Sequence, residues 1–316
     1  MSEEISIELL EKLHSHERVD YVAKEQDTTT FKRRARYQQA KWREENGFPI
    51  GTHPYKDNGK GRVIGSRINY EYAKENMSNF LSTQSKEAAI RRLNNPQPKQ
   101  TINEYRLYAD CLSSMPMCFN LFGLVADDMN KAEKTVKEWW PDTPGKVKDV
   151  LFEWSPGRQL AGRFLENRSA FDCAIELELD NGNKGIIGIE TKYHEDCKKE
   201  SLPSKERIDR YKLISDRSRI FKEGYLDMIL GTELQQIWQD HILALSMLQD
   251  METNWEWAKF ILVYPEKNPS FDRAAKKYSD VLLDHSTYEI CTIESLLRTN
   301  TIDKSDLEPF RNRYIW

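Results

Sequence analysis

Residues 171–192 read FDCAIELELDNGNKGIIGIETK, and the way this segment pairs with itself decides the fold. From Phe171 to Leu179 apolar and polar residues alternate, with Cys173, Ile175, Leu177 and Leu179 on one face, as in a half-buried strand. Asp180-Asn-Gly-Asn183 is turn chemistry, and Gly185 to Tyr193 reads as a second, buried strand. A two-residue Asn181-Gly182 turn would set Leu179 against Lys184 and Asp172 against Thr191. A three- or five-residue loop instead sets Ile175 against Ile187, Glu178 against Lys184 and Asp172 against Glu190. The hydrophobic pattern favours the second register, because a one-residue slip turns a whole strand over. Asp172, Glu190 and Lys192 then share one face at one end of the hairpin.

Two carboxylates opposed at about 5 Å repel unless something positive lies between them. A divalent cation is the simplest answer, and oxygen-only ligands favour Mg²⁺ or Mn²⁺ with water completing the shell. Lys192 beside such an ion is placed to hold or activate a water, and the ion lowers that water's pKa and neutralises phosphate charge. These parts suit phosphodiester hydrolysis. Glu190-Thr191-Lys192 is also the sole Glu-x-Lys triplet of the chain.

Asp172 followed, across a hairpin, by Glu190-Thr191-Lys192 resembles the PD-(D/E)XK nuclease superfamily, with Phe171 where the pattern names Pro. Further stretches are similar to its bacterial restriction-endonuclease-like branch: NEYRLYADCLSSMPMCFNLFG, NRSAFD, QQIWQDHILALSML, LVYPEKN and the N-terminal RRARYQQAKWREENGFPIG. The resemblance implies a restriction-endonuclease-like α/β core, a mixed β-sheet flanked by helices. It also implies metal binding by Asp172, Glu190 and the Thr191 backbone carbonyl, with Lys192 acting on water. It allows one more glutamate from the first core helix; the candidate is Glu104, which reads equally well as a first-turn glutamate favoured by the helix dipole.

The remaining sequence sets the context. The 316 residues suffice for a large core, and 31% of them are charged. No apolar run is long enough for a transmembrane helix, and the acidic, amphipathic N-terminus does not fit a secretory signal. Five scattered cysteines read as reduced thiols in a cytoplasmic protein. The net charge of −4 requires that any nucleic acid be held by a local basic patch. The candidate is a helix over 28–46 carrying Arg33, Arg36, Lys41 and Arg43, together with Arg168 just before the hairpin. A solvated basic face is the alternative.

Helices are further expected over 1–16, 69–93, 102–113, 116–122, 126–140, 203–217 and 232–250, and strands over 150–154, 259–264 and 288–292, with 47–69 as loop. Asn94-Asn-Pro-Gln-Pro98 divides the chain into an N-terminal helical, basic region (1–98) and a nuclease-like domain (99–316). His241 falls on an apolar helical face and reads as a core histidine; Gln235 and Gln236 read as solvated helix positions in preference to a motif that follows the core and reaches the site. The expected function is Mg²⁺-dependent DNA cleavage in restriction or anti-phage defence. An inactive nucleic-acid-binding or scaffold subunit, and the same chemistry on RNA, stay open. A homodimer is expected by analogy, since one site cuts one strand, and a defence-system partner protein stays open.

Overall fold

The computed structural model describes residues 5–16, 29–52 and 63–316. Its centre is a five-stranded mixed sheet in sequence order: β3 (Lys146–Trp154), β4 (Phe171–Glu178), β5 (Lys184–Thr191), β6 (Trp255–Tyr264) and β7 (Tyr288–Thr292). β3, β4 and β5 pair antiparallel, while β6 runs parallel to β5 and β7 parallel to β6. A second, two-stranded sheet, β1 (Ile50–Thr52) with β2 (Val63–Ile68), lies within the span expected to be loop. Its short strands are too glycine-rich to show a period, and residues 53–62 between them lie outside the described set.

The β4–β5 hairpin takes the register that the hydrophobic pattern favours: Ile175 opposes Ile187, Glu178 opposes Lys184 and Cys173 opposes Ile189. Five residues, 179–183, connect the strands. Leu179 donates its N–H to the Asn183 carbonyl at 2.9 Å, and Gly182 sits at φ +80°, which glycine tolerates without a Cβ penalty.

Alternation along the strands splits the interior into two layers. Cys173, Ile175, Leu177, Ile187 and Ile189 join one core with the helices Thr83–Asn94, Ser114–Phe122, Met129–Trp139 and Lys304–Tyr314. Phe171, Ala174, Ile186, Phe260 and Leu262 join the other, with the helices Lys205–Ser218, Gln235–Leu248 and Pro269–Ser279. Helices on both faces and parallel strands at one edge make an α/β fold.

The N-terminal basic helix is Thr30–Glu45, capped by the Thr29 hydroxyl, which accepts the Lys32 N–H at 3.2 Å. The span expected as one helix over 69–93 is two, Tyr70–Asn76 and Thr83–Asn94. Met77 in the left-handed conformation ends the first, and a Ser82/Ser85 capping box starts the second. Ala35, Trp42, Ile68 and Phe80 from before the Asn94–Pro98 break pack in the same core as Ile175 and Ile189 from after it.

Candidate active site

Asp172 opens β4 and Glu190 closes β5, on the sheet face that packs against the helix Gln235–Leu248. The ladder stops at Cys173–Ile189, and Asp172 then bonds the other strand end directly. Its Oδ2 accepts the Thr191 N–H at 2.8 Å and the Thr191 hydroxyl at 2.7 Å. Lys192 donates to Glu190 Oε1 at 2.7 Å, and Gln236 reaches the same oxygen at 3.4 Å. The Lys192 backbone N–H is fixed on the Val263 carbonyl of β6 at 2.8 Å. One oxygen of each carboxylate is thus held in place. Asp172 Oδ1 and Glu190 Oε2 have no hydrogen bond among the described residues.

Two acidic residues that the sequence reading did not single out complete the surroundings. Glu153 lies on β3 between Phe152, opposite Cys173, and Trp154, opposite Phe171. Its φ of +48° is unfavourable for a residue with a Cβ. The turned-out carbonyl is pinned by Arg158 at 2.7 Å and Arg92 at 3.2 Å. Asp240 lies one helical turn after Gln236, is 8% exposed, and its buried Oδ2 lacks a hydrogen-bond partner among the described residues. Asp240 had a sequence signal, an acidic residue at i, i+4 from a glutamine on a helix that is mostly apolar beyond it. Glu153 had a weaker one, its place opposite Asp172 once β3 is paired.

The electrostatics follow from this crowding. Burial, then the Asp172 charge, pushes Glu190 up to about 7. Burial, then Asp172 and Glu190, pushes Glu153 up to about 8. Burial likewise raises Asp172, with Lys192 and the Thr191 bonds opposing, and raises Asp240, with Glu190 adding to the shift. Burial alone would lower Lys192, but Glu190 and Asp172 outweigh it and hold the ammonium protonated.

One ammonium among four carboxyl groups leaves negative charge that a hard cation fits, and the all-oxygen donor set is of the Mg²⁺ or Mn²⁺ type. Among the described residues no group of three or more His, Cys, Asp and Glu side chains is placed to hold a metal ion. The fit is therefore to an open ion held by two carboxylates and a backbone carbonyl, with water and substrate supplying the remaining oxygens.

The other sequence candidates lie elsewhere. Glu104 pairs with Lys74 at 2.6 Å and the Tyr70 hydroxyl at 3.1 Å, which hold its carboxyl low. It is turned to that pair and not to the hairpin end. Arg43 is 5% exposed and donates to the Gly65 and Phe48 carbonyls at 2.8 and 2.7 Å. Its guanidinium braces the turn after its own helix, which corrects the expectation of a phosphate contact. Arg36 is 4% exposed and donates to Ser66 at 3.4 Å. Lys41 pairs loosely with Glu45 at 3.6 Å, while Arg33 and Arg168 are exposed.

Gln235 is not solvated; it is buried, accepting the Gly231 N–H and donating to the Ser201 carbonyl. His241 is the core histidine expected, bonded to Tyr278 and Thr287 at 2.9 Å, and burial lowers its pKa to about 3.

A mixed sheet between helix layers, with a hairpin that ends in Asp, Glu and Lys, is a restriction-endonuclease-like nuclease core. The family comparison agrees: the chain belongs to the PD-(D/E)XK nuclease superfamily, whose model matches residues 25–316. No curated protein and no solved structure matches the chain.

Proposed function

We propose that the protein is a Mg²⁺-dependent endonuclease that hydrolyses DNA phosphodiester bonds in restriction or anti-phage defence. The observation that carries this reading is the convergence of buried Glu190 with half-buried Asp172 and Lys192 at one hairpin end, with one oxygen of each carboxylate left for a cation. Asp172, Glu190 and the Thr191 carbonyl would hold the ion, which would supply charge neutralisation at the phosphate and a water of lowered pKa. Lys192, protonated, orients the water and a non-bridging phosphate oxygen. A protonated lysine cannot be the base, so the water's proton leaves to solvent or to a neighbouring carboxylate. The water oxygen bonds to phosphorus, one ester P–O bond breaks, and the departing oxygen takes up a proton.

Gln236 steadies Glu190 against Lys192. Glu153, rather than Glu104, is the candidate for a third carboxylate, since it sits on β3 between Phe152, opposite Cys173, and Trp154, opposite Phe171, and the Asp172 and Glu190 charges act on it. Arg33, Lys41 and Arg168 provide outer contacts to the nucleic-acid backbone. Five free cysteines fit a reducing compartment such as the cytoplasm, and no helix among the described residues is long and apolar enough to cross a membrane.

The test is plasmid cleavage in Mg²⁺ with the wild type, Asp172→Ala and Lys192→Ala. Each variant is expected to lose at least about 100-fold in rate. Wild-type cutting by both variants sinks the assignment.

A further inference from the structure

A cleft of about 240 Å³ opens beside the catalytic hairpin, lined by Arg36, Ser66, Arg67, Arg106, His194 and Glu195 among others. Its arginines come from three separate elements: the N-terminal helix, β2 and the helix Glu104–Tyr108. Arg67 is preorganised. Its guanidinium lies 5.2 Å from the Tyr105 ring centroid and is bonded by Asp110 at 2.9 Å. A guanidinium has five N–H donors, so the Asp110 pair and the Tyr105 contact leave others for a ligand. Arg106 is half-exposed and only 3.8 Å from Glu195, beyond hydrogen-bonding distance.

Besides facing these arginines, the two acids of the cleft accept other donors. Asp110 accepts the Leu112 N–H at 3.1 Å, and Glu195 accepts the Ser114 hydroxyl at 3.0 Å and the Tyr193 N–H at 2.8 Å. The cleft lies beside the site along the chain: His194 and Glu195, which line it, follow Lys192 by two and three residues. Arg106 acts electrostatically on Glu153, and Glu195 acts on Asp172 and Glu190.

We propose that this cleft seats a backbone phosphate of the substrate next to the scissile one, with Arg67 and Arg106 as its donors and Arg36 shaping the floor. Three cationic elements around a small polar cavity suit a phosphodiester, and the cavity adjoins the hydrolytic centre. The inference rests on the nuclease reading above. It makes part of the N-terminal region an anchor for the nucleic-acid backbone that carries no sequence information.

The experiment uses the full chain with a labelled DNA oligonucleotide of arbitrary sequence, and an RNA of the same sequence in parallel. It compares the wild type with Arg106→Gln, Arg106→Lys and Arg67→Gln. Arg106→Gln is expected to raise KM about tenfold with kcat within about twofold, and to reduce the slope of log affinity against log salt by about one. Arg106→Lys should restore the salt slope but only part of the affinity, because the ammonium lacks the planar fork. Arg106 is half-exposed, so its variants test the idea even if Arg67→Gln folds poorly. If the wild type cuts and the Arg106 variants match it in KM and salt slope, the cleft is wrong and the nuclease reading stands. If the wild type neither binds nor cuts either nucleic acid, both fall together.

Discussion

At the scale of single residues, the site is governed by carboxyl groups that share too little positive charge. Burial and mutual repulsion place Glu190 near 7 and Glu153 near 8, so both keep protons in the metal-free fold that they lose in the unfolded chain. The unfolded state then binds fewer protons, and stability falls as pH rises from the ordinary glutamate value of 4.5 through about 7 to 8. A thermal melt without metal is expected to show Tm falling between pH 6 and pH 8.5. Excess Mg²⁺ should reverse the trend, because the ion binds the deprotonated groups; below pH 7 its apparent affinity should rise up to about tenfold per unit. A metal-free Tm flat across this range would contradict the crowding.

The same groups separate Glu153 from Glu104. Glu153→Gln should lower kcat on the order of 100-fold, and Glu104→Gln should leave it within about twofold, in single-turnover cleavage. Glu104 was a reasonable choice from its helix start, but Lys74 and Tyr70 claim its carboxylate, and neither is near it in sequence.

At the scale of elements, the hairpin positions the chemistry, and Gly188 is the residue on which it turns. A Cβ on Gly188 would run into the Phe171 ring, which lies across β5 just before Asp172. Phe171, the departure from the family's Pro, thus fills a space that glycine leaves. Gly188→Ala is expected to cost about 1–3 kcal/mol by overpacking and to reduce cleavage by displacing Asp172. Adding Phe171→Leu should recover part of both, measured by denaturant melts and rate. If Gly188→Ala alone is as stable and active as wild type, the packing account fails.

The hairpin register was legible because a slip would turn over a whole strand and its apolar face. The short β1–β2 sheet was not, since glycines and charges hide any period there. The break at Met77 was hidden as well, because a methionine in the left-handed conformation has no sequence signal.

At the scale of the whole molecule, the N-terminal segment is fastened to the hairpin and to the C-terminal helix. Lys32 pairs with Asp196 at 2.8 Å, and Gln39 donates to the Tyr193 hydroxyl and the Arg313 carbonyl. Arg313 is fully buried, 3.7 Å from the Trp42 ring centroid, and donates to Gln39 and to the Asn79 carbonyl. Arg313→Ala should therefore cost about 2–4 kcal/mol, since it strands buried acceptors and removes a stacked side chain. A fragment of residues 99–316 is expected not to fold alone, because Trp42, Ile68, Phe80 and Ala89 leave its core. The full chain should melt in one transition; two separated transitions would instead support a domain boundary near residue 98.

By itself the sequence determined the hairpin, its register and the shared face of Asp172, Glu190 and Lys192. Those follow from period-two alternation and turn length, which are local. The tertiary structure alone decided that Glu153 and Asp240 crowd the same site, that Glu104 and Arg43 are occupied elsewhere, and that the cleft is built from three elements. Each of these depends on contacts between residues distant along the chain, and which long side chain meets which is settled by packing and charge once the sheet and its helices have closed.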